Sequence, residues 1–262
     1  MLLKPKSMNY WPENRCAKAF WNQYELPPYQ ELLRDTANLV EPRAGQRWLD
    51  LGCGCGQLTK MLWSKSQGTL QELVGVDIAP INEHAYVKIR AAAEPKPASP
   101  DVIRFMAADF SNGLPNWCDG RFDGIVSGLA LQYAESFDES RNRWTRDAYV
   151  RILAEAFRLL KPGGTFVFSV NVPEPAWGKV AWTALTGTLQ ARRPHHYLKK
   201  SHRIYRYGNW LKREARRGRF HYLPQDQIET ILAGAGFSAI EAQTSFAGQA
   251  FLFRCRKVAN AD

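Results

Sequence analysis

From residue 47 onward, short runs of consecutive apolar residues alternate with stretches whose apolar positions recur every three to four residues. A strand covered on both faces reads as an unbroken apolar run, and a helix lying on a sheet reads as a stripe, so this rhythm predicts repeated strand–helix units around a parallel sheet. Residues 48–51, 73–76, 103–106, 122–127 and 166–170 are the predicted strands, each apolar enough to be buried on both faces. Between them, 58–66, 81–93 and 146–160 carry helical stripes, the last with Ala148, Ile152, Ala156 and Leu159 on one side. Lys161-Pro162-Gly163-Gly164 then predicts the end of that helix and a turn into the next strand.

The flanks follow different rules. Residues 11–40 predict a helical lead-in that covers the sheet, clearest where Tyr29, Leu32, Leu33, Thr36, Ala37 and Val40 recur after Pro27 and Pro28. After Pro224, Ile228, Ile231, Leu232 and Ala235 mark a helix ending at Gly236. Two strand-like runs follow, 237–244 and 250–254, and their short link predicts an antiparallel pair. The expected whole is a doubly wound sheet of seven mostly parallel strands with a C-terminal antiparallel hairpin. Residues 173–222 break the rhythm: an insertion of about fifty residues between the fifth strand and the last helix is too long for a plain connection and predicts helices of its own.

Composition narrows the class. A chain of 262 residues with 45% apolar and 12% aromatic residues suits one α/β domain and excludes wholesale disorder. No apolar stretch follows Lys4 and Lys6, and no window approaches 18 uninterrupted apolar residues, so a cytoplasmic protein is expected. The five cysteines (Cys16, Cys53, Cys55, Cys118, Cys255) are odd in number and scattered, which predicts reduced thiols. Cys53 and Cys55 stand too close together for a zinc pair and have no second pair, so no metal is expected. The net charge of +10 is concentrated: residues 192–219 hold eleven Lys and Arg against one acid, Glu214.

The strand at 47–51 runs into Gly52-Cys53-Gly54-Cys55-Gly56 and then into a helix beginning near Gln57. Glycines let backbone N–H groups approach a ligand, and the helix N-terminus adds a favourable dipole. Gln57 stands where a dinucleotide fingerprint needs its third glycine, and no Lys-Ser/Thr follows, so neither pyrophosphate nor triphosphate binding is indicated. Asp77 lies 21 residues after Gly56, the separation expected of a carboxylate that holds ribose hydroxyls.

Asp50-Leu51-Gly52-Cys53-Gly54-Cys55-Gly56 resembles the first motif of class I S-adenosylmethionine-dependent methyltransferases. Four further segments match that family in order: Val74-Gly75-Val76-Asp77, Ala107-Ala108-Asp109-Phe110, Phe122-Asp123-Gly124-Ile125-Val126-Ser127 and Leu159-Leu160-Lys161-Pro162-Gly163-Gly164. The resemblance implies a Rossmann-like fold, S-adenosylmethionine as cofactor and methyl transfer as the activity. It divides the chain into a lead-in (1–44), a cofactor-binding core (45–172), a basic aromatic lid (173–222) and a terminal helix and hairpin (223–262). It also implies that Gly52, Gly54 and Gly56 lie against the methionine part, with Asp50, Cys53 and Ser127 in the cofactor set. Asp77 would hold the ribose, Asp109 would reach the adenine, Ile78 and Phe110 would sandwich its ring, and Tyr24 would close over the methionine end. A strand-end Asp also serves as a cap or turn residue, a role that stays open for Asp109 and is expected of Asp123.

Methyl transfer from a sulfonium mainly requires alignment, and a base matters only when the nucleophile must lose a proton. The resemblance places the acceptor beyond the ends of the fourth and fifth strands, at 127–133 and 171–173. Gln132 stands where many small-molecule members carry His, so the catalytic candidates are Gln132, Tyr133, His221 and Tyr222, with His195, His196 and His202 behind them. The Asn/Asp-Pro-Pro-Tyr/Phe tetrapeptide of amide and adenine methylation is absent after the fourth strand.

The insertion interleaves its cations with Trp177, Trp182, Tyr197, Tyr205, Tyr207, Trp210, Phe220 and Tyr222. That pattern fits an anionic membrane surface, a lid over an acidic small molecule, a nucleic-acid surface or a solvated cap. Its position favours the lid. The expected acceptor is a small, partly hydrophobic or acidic molecule, such as a lipid, quinone or natural product, met at an anionic membrane surface. An RNA or DNA methyltransferase and a non-catalytic cofactor-binding module are the alternatives.

Overall fold

The computed structural model describes Trp11, residues 23–186 and residues 194–259; the side chains of 184–204 lie outside the description. The lead-in segment 12–22 with Cys16, Arg192 and Arg193, and the side chains of His195, His196, Tyr197 and His202 therefore fall outside it.

Nine strands form among the described residues: β1 (Arg47–Leu51), β2 (Glu72–Asp77), β3 (Ile103–Ala107), β4 (Phe122–Gly128), β5 (Ser136–Asp138), β6 (Arg143–Thr145), β7 (Leu160–Asn171), β8 (Phe237–Ser245) and β9 (Ala250–Lys257). Seven make one sheet in the order β3-β2-β1-β4-β7-β9-β8, parallel from β3 to β7 and antiparallel at β9 and β8. The helices are α1 (Pro27–Leu39), α2 (Gln57–Lys65), α3 (Glu83–Ala92), α4 (Asp147–Leu159), α5 (Trp177–Thr186), α6 (Pro194–Arg216) and α7 (Gln225–Gly234). None of the described helices is long and apolar enough to cross a membrane.

The strand period of two sorts the core into two layers. Leu49, Leu51, Val74, Val76, Ile125, Phe166 and Phe168 meet α4 and α7 on one face. Trp48, Leu73, Val126 and Val167 meet α2 and α3 on the other. Helices on both faces of a largely parallel sheet make the doubly wound architecture that the alternation predicts.

Three details depart from expectation. Only Ile103 of β3 is buried, because β3 is the sheet's edge and lacks a neighbour on one side. Residues 161–164 are a bulge inside β7, which begins at Leu160 beside Phe122 and resumes register at Thr165 beside Gly124. The β5–β6 ribbon has no counterpart among the predicted strands, since two three-residue strands of mixed polarity carry no readable period.

A third cluster roofs the C-terminal ends of the strands. Leu26 and Leu32 of the lead-in, Trp177 and Val180 of α5, Leu211 of α6 and Phe246 of the hairpin turn pack together there. The α1 helix is tied down by two carboxylates: Asp35 accepts from the Ser245 hydroxyl at 2.6 Å and Glu31 from the Ala247 N–H at 3.0 Å. The helices α5 and α6 come close because Gly208 carries no side chain where the Trp177 ring lies.

The concentrated charge of residues 192–219 is partly cancelled by acids that precede that stretch. Glu174 pairs with Lys212 and Arg216, and Glu214 with Arg217. Arg219, nearly buried, reaches Glu135 at 3.0 Å and Glu214 at 3.4 Å and lies over the rings of Trp144 and Phe220. Glu174 and Glu135 precede residues 192–219, so a charge count over that stretch alone misses them.

Candidate active site

Strand β1 delivers the chain into a loop whose three glycines all have positive φ, 67° at Gly52, 50° at Gly54 and 75° at Gly56. Two of them are also pressed by neighbours. A Cβ at Gly52 would stand 2.2 Å from Ala130 Cβ, and one at Gly56 would stand 2.4 Å from Ile89 Cδ1. At Gly54 a Cβ would meet only the Tyr24 hydroxyl at 3.9 Å, so this glycine faces open space. The loop thus leans on the segment after β4 at one end and on α3 at the other, and presents its centre.

Asp77, at the end of β2, braces that centre. One carboxylate oxygen accepts from the Gly54 N–H and the other from the Ala79 N–H, both at 2.9 Å. Burial raises its pKa, and hydrogen bonds from the Ala79 and Gly54 N–H groups and from the Asn82 side chain oppose the rise. With three donors on its four lone-pair sites, the carboxylate keeps room for one further donor. Asp109, at the end of β3, caps the turn that follows, accepting from Ser111 N–H at 2.9 Å and Asn112 Nδ2 at 3.1 Å. The cap role and the cavity-lining position coexist in this one residue.

A cavity of about 190 Å³ joins these groups to the roof. Gly52, Gly54, Cys55, Asp77, Ile78, Asp109 and Phe110 line its lower end. Tyr24, Tyr29, Leu129, Tyr133, Asn171, Trp177, Tyr207 and Leu211 line the rest with Trp11. Among the described lining residues the only charged side chains are Asp77 and Asp109.

Other predicted cofactor residues lie under the site. Asp50 is fully buried and accepts from the Thr59 N–H at 3.1 Å and the Thr59 hydroxyl at 2.8 Å. Burial pushes its pKa up to about 7, against those two hydrogen bonds. Cys53 is buried behind the loop, and it is Cys55 that faces the cavity, its thiol pushed up to about 11 by burial. Ser127 donates inward to the Leu51 carbonyl at 2.7 Å, joining β4 to β1. Asp123 supports the fold, accepting from the Arg47 N–H at 2.8 Å and pairing with Lys161 at 2.7 Å.

The predicted catalytic residues separate. Tyr133 lines the cavity, and its hydroxyl meets Tyr222 Oη at 3.1 Å and Asn171 Nδ2 at 3.3 Å. Tyr222 stands behind it. Gln132 is fully buried, outside the lining, with its backbone carbonyl accepting from the His221 N–H at 2.9 Å. His221 is buried, with Nε2 3.0 Å from the Ala134 carbonyl and its ring beside Tyr149. That carbonyl can only accept, so Nε2 carries the proton, and the ring is a tie between segments away from the cavity.

Burial depresses the His221 pKa from 6.5 to about 4. Its folded pKa lies below the unfolded one, so its contribution is present above pH 6.5 and is lost as pH falls towards 4. Between pH 7.5 and pH 5 it should remove about 2 kcal/mol of stability. His221→Gln, which keeps a donor for Ala134, should flatten that part of the pH profile in urea unfolding. An unchanged profile would rule out the assignment.

Sequence reasoning missed Asn171, Trp177, Tyr29 and Trp11 as lining residues. The segment 171–173 is expected at the acceptor end, but nothing in the sequence singles out Asn171 within it, and Trp177 reads only as one aromatic among cations.

The methyltransferase-domain family model matches residues 21–242. A demethylmenaquinone methyltransferase of Thermus thermophilus is 32% identical over 143 residues, covering 54% of this chain and 54% of that protein. The match therefore spans about half the length of that relative. A demethylmenaquinone methyltransferase of Symbiobacterium thermophilum is 27% identical over 225 residues, covering 79% of this chain and 74% of that protein. The solved N-methyltransferase NodS of Bradyrhizobium japonicum, in complex with S-adenosyl-L-homocysteine, shares the fold with a TM-score of 0.54 at 17% identity, over 90% of this chain and 91% of that one. With a glycine loop braced by Asp77, strand-end acids in order and a family match over most of its length, the chain belongs to the class I S-adenosylmethionine-dependent methyltransferases.

Proposed function

We propose that this protein transfers a methyl group from S-adenosylmethionine to a small, uncharged, largely hydrophobic acceptor. The carrying observation is a cavity that runs from the glycine loop to an aromatic roof and has no Lys, Arg or His among its described lining residues. A buried anionic acceptor would need a paired cation, since an unpaired buried charge is costly. The acidic half of the sequence expectation is therefore dropped. The anionic-surface and nucleic-acid readings rest on the excess positive charge of 192–219, which Glu174 and Glu135 partly cancel.

The residues at the lower end fit the cofactor. Gly54 is open to the cavity, Asp77 has room for a ribose hydroxyl, Asp109 lies where the adenine is expected, and Ile78 and Phe110 offer apolar surface to its ring. When bound, the cofactor supplies a methyl carbon activated by a positive sulfur, open to in-line displacement by a nucleophile. The roof excludes water and holds the acceptor. Burial raises the pKa values of Tyr24, Tyr29 and Tyr133, so these hydroxyls stay protonated and act as donors. Catalysis then rests on alignment and desolvation.

The test supplies S-adenosylmethionine labelled in its methyl group together with neutral phenols, aromatic carboxylates and bulk tRNA. Label is expected in the neutral, solvent-extractable products. Label confined to the carboxylates or to tRNA would overturn the acceptor class, and no turnover with any of them would count against it equally.

A further inference from the structure

Two buried polar atoms on the cavity wall have no partner among the described residues. Asn171 is 1% exposed and lines the cavity; its Nδ2 donates to the Tyr133 hydroxyl, and its Oδ1 is unmatched. Trp177 is 6% exposed and lines the same cavity, and its Nε1 is unmatched as well. Buried polar groups are almost always paired, and an unpaired one carries a desolvation cost, so two lining one cavity call for partners.

Both side chains are held in place by their neighbours. Asn171 ends β7 as its last paired residue, opposite Ala250, and its amide is held at one end by Tyr133. Trp177 begins α5 and is wedged in the roof, where Gly208 leaves room for its ring and Phe246 meets it edge-on at 6.5 Å between centroids. The two groups also come from different parts of the fold, one from the sheet and one from the insertion. Around them the wall is aromatic: Tyr133 lies 4.8 Å from Trp11, and Tyr29 and Tyr207 line the same space.

We infer that Asn171 and Trp177 are specificity-determining residues that read the acceptor, Asn171 Oδ1 taking a hydrogen bond from a hydroxyl or N–H and Trp177 Nε1 giving one to an oxygen. The acceptor class is a flat, neutral, aromatic molecule carrying a hydroxyl. An isosteric compound whose hydroxyl is capped leaves Asn171 unmatched, and a site built to bond a substrate O–H discriminates strongly against such an analogue. This inference rests on the cavity's upper end being the acceptor site.

The experiment measures binding of three probes to the full chain saturated with S-adenosylhomocysteine: 1-naphthol, 1-methoxynaphthalene and 1-naphthoate. Calorimetry with S-adenosylhomocysteine alone comes first. Failure of that step would strike the methyltransferase reading itself, whereas the naphthol comparison bears on Asn171 and Trp177 alone. The wild-type protein is expected to prefer 1-naphthol over 1-methoxynaphthalene by about tenfold and to exclude 1-naphthoate. Asn171→Leu should abolish the preference while binding 1-methoxynaphthalene as well as before. Trp177→Phe, which keeps the aromatic packing, should weaken 1-naphthol several-fold and guards against a folding defect in the first variant. Equal binding of naphthol and its methyl ether by the wild type, retention of the preference in Asn171→Leu, tighter binding of naphthoate, or no binding of any probe would each overturn the inference.

Discussion

Replacing Asp77 by alanine should weaken binding of S-adenosylhomocysteine about a hundredfold, roughly 3 kcal/mol. Two losses combine. A ribose hydroxyl of the ligand loses its acceptor, and the N–H groups of Gly54 and Ala79 lose theirs. The second loss matters because Gly54 is the loop's open centre, held at a φ of 50° that Asp77 helps to keep. Asp77→Asn retains one acceptor oxygen and so one of the two backbone bonds, and its loss should be nearer tenfold. Calorimetry on the three proteins checks the order. Binding by the alanine variant within about threefold of wild type would remove Asp77 from the cofactor site.

Gly75→Ala should destabilise the fold by about 3 kcal/mol or more, although the change adds one methyl group. A Cβ there would lie 1.8 Å from the Tyr86 hydroxyl and 2.9 Å from Cys53 Sγ. Tyr86 cannot retreat without cost. Its hydroxyl meets Thr59 Oγ1 at 2.6 Å, and Thr59 Oγ1 donates to Asp50 at 2.8 Å. Displacing the ring would therefore break the chain that anchors α2 to the end of β1, directly beneath the glycine loop. Urea unfolding measures the effect, and loss of S-adenosylhomocysteine affinity should accompany it. A smaller residue at 86 should relieve the clash, so Gly75→Ala with Tyr86→Leu should cost less than the two single changes added together. Strict additivity would show that the ring is not what the methyl group meets.

This dependence explains why Gly75 is legible in the sequence only as part of a motif. In the string Val74-Gly75-Val76-Asp77 it reads as an ordinary strand residue, and its φ is not in the left-handed region. The requirement comes from Tyr86 on α3, packed against the strand from outside. Asp77 is the opposite case. Its distance from the glycine loop and its place at a strand end are local properties, and they carry it correctly to the cavity wall.

The same division runs through the remaining residues. Cys53 and Cys55 are two positions apart in an irregular loop, where no period tells which side chain turns inward; only packing against β2 and α3 puts Cys53 behind the loop. Ser127 sits at a strand end like Asp77, yet its hydroxyl turns to the Leu51 carbonyl because β4 lies beside β1. His221 is a catalytic candidate by its place in the sequence and is a buried tie to Ala134, 87 residues away.

By itself, the sequence determined the strand–helix alternation, the doubly wound sheet, the antiparallel hairpin and the glycine loop with its strand-end acids. These follow from periods of two and three to four, from turn chemistry and from spacing, all of which act over short stretches of chain. The tertiary structure alone decided that Asn171, Trp177, Tyr133 and Trp11 line one cavity, that distant glutamates temper the basic insertion, and that no cation is among the described lining residues. Those outcomes depend on side-chain direction and on contacts between segments far apart in sequence, and a linear pattern carries no record of either.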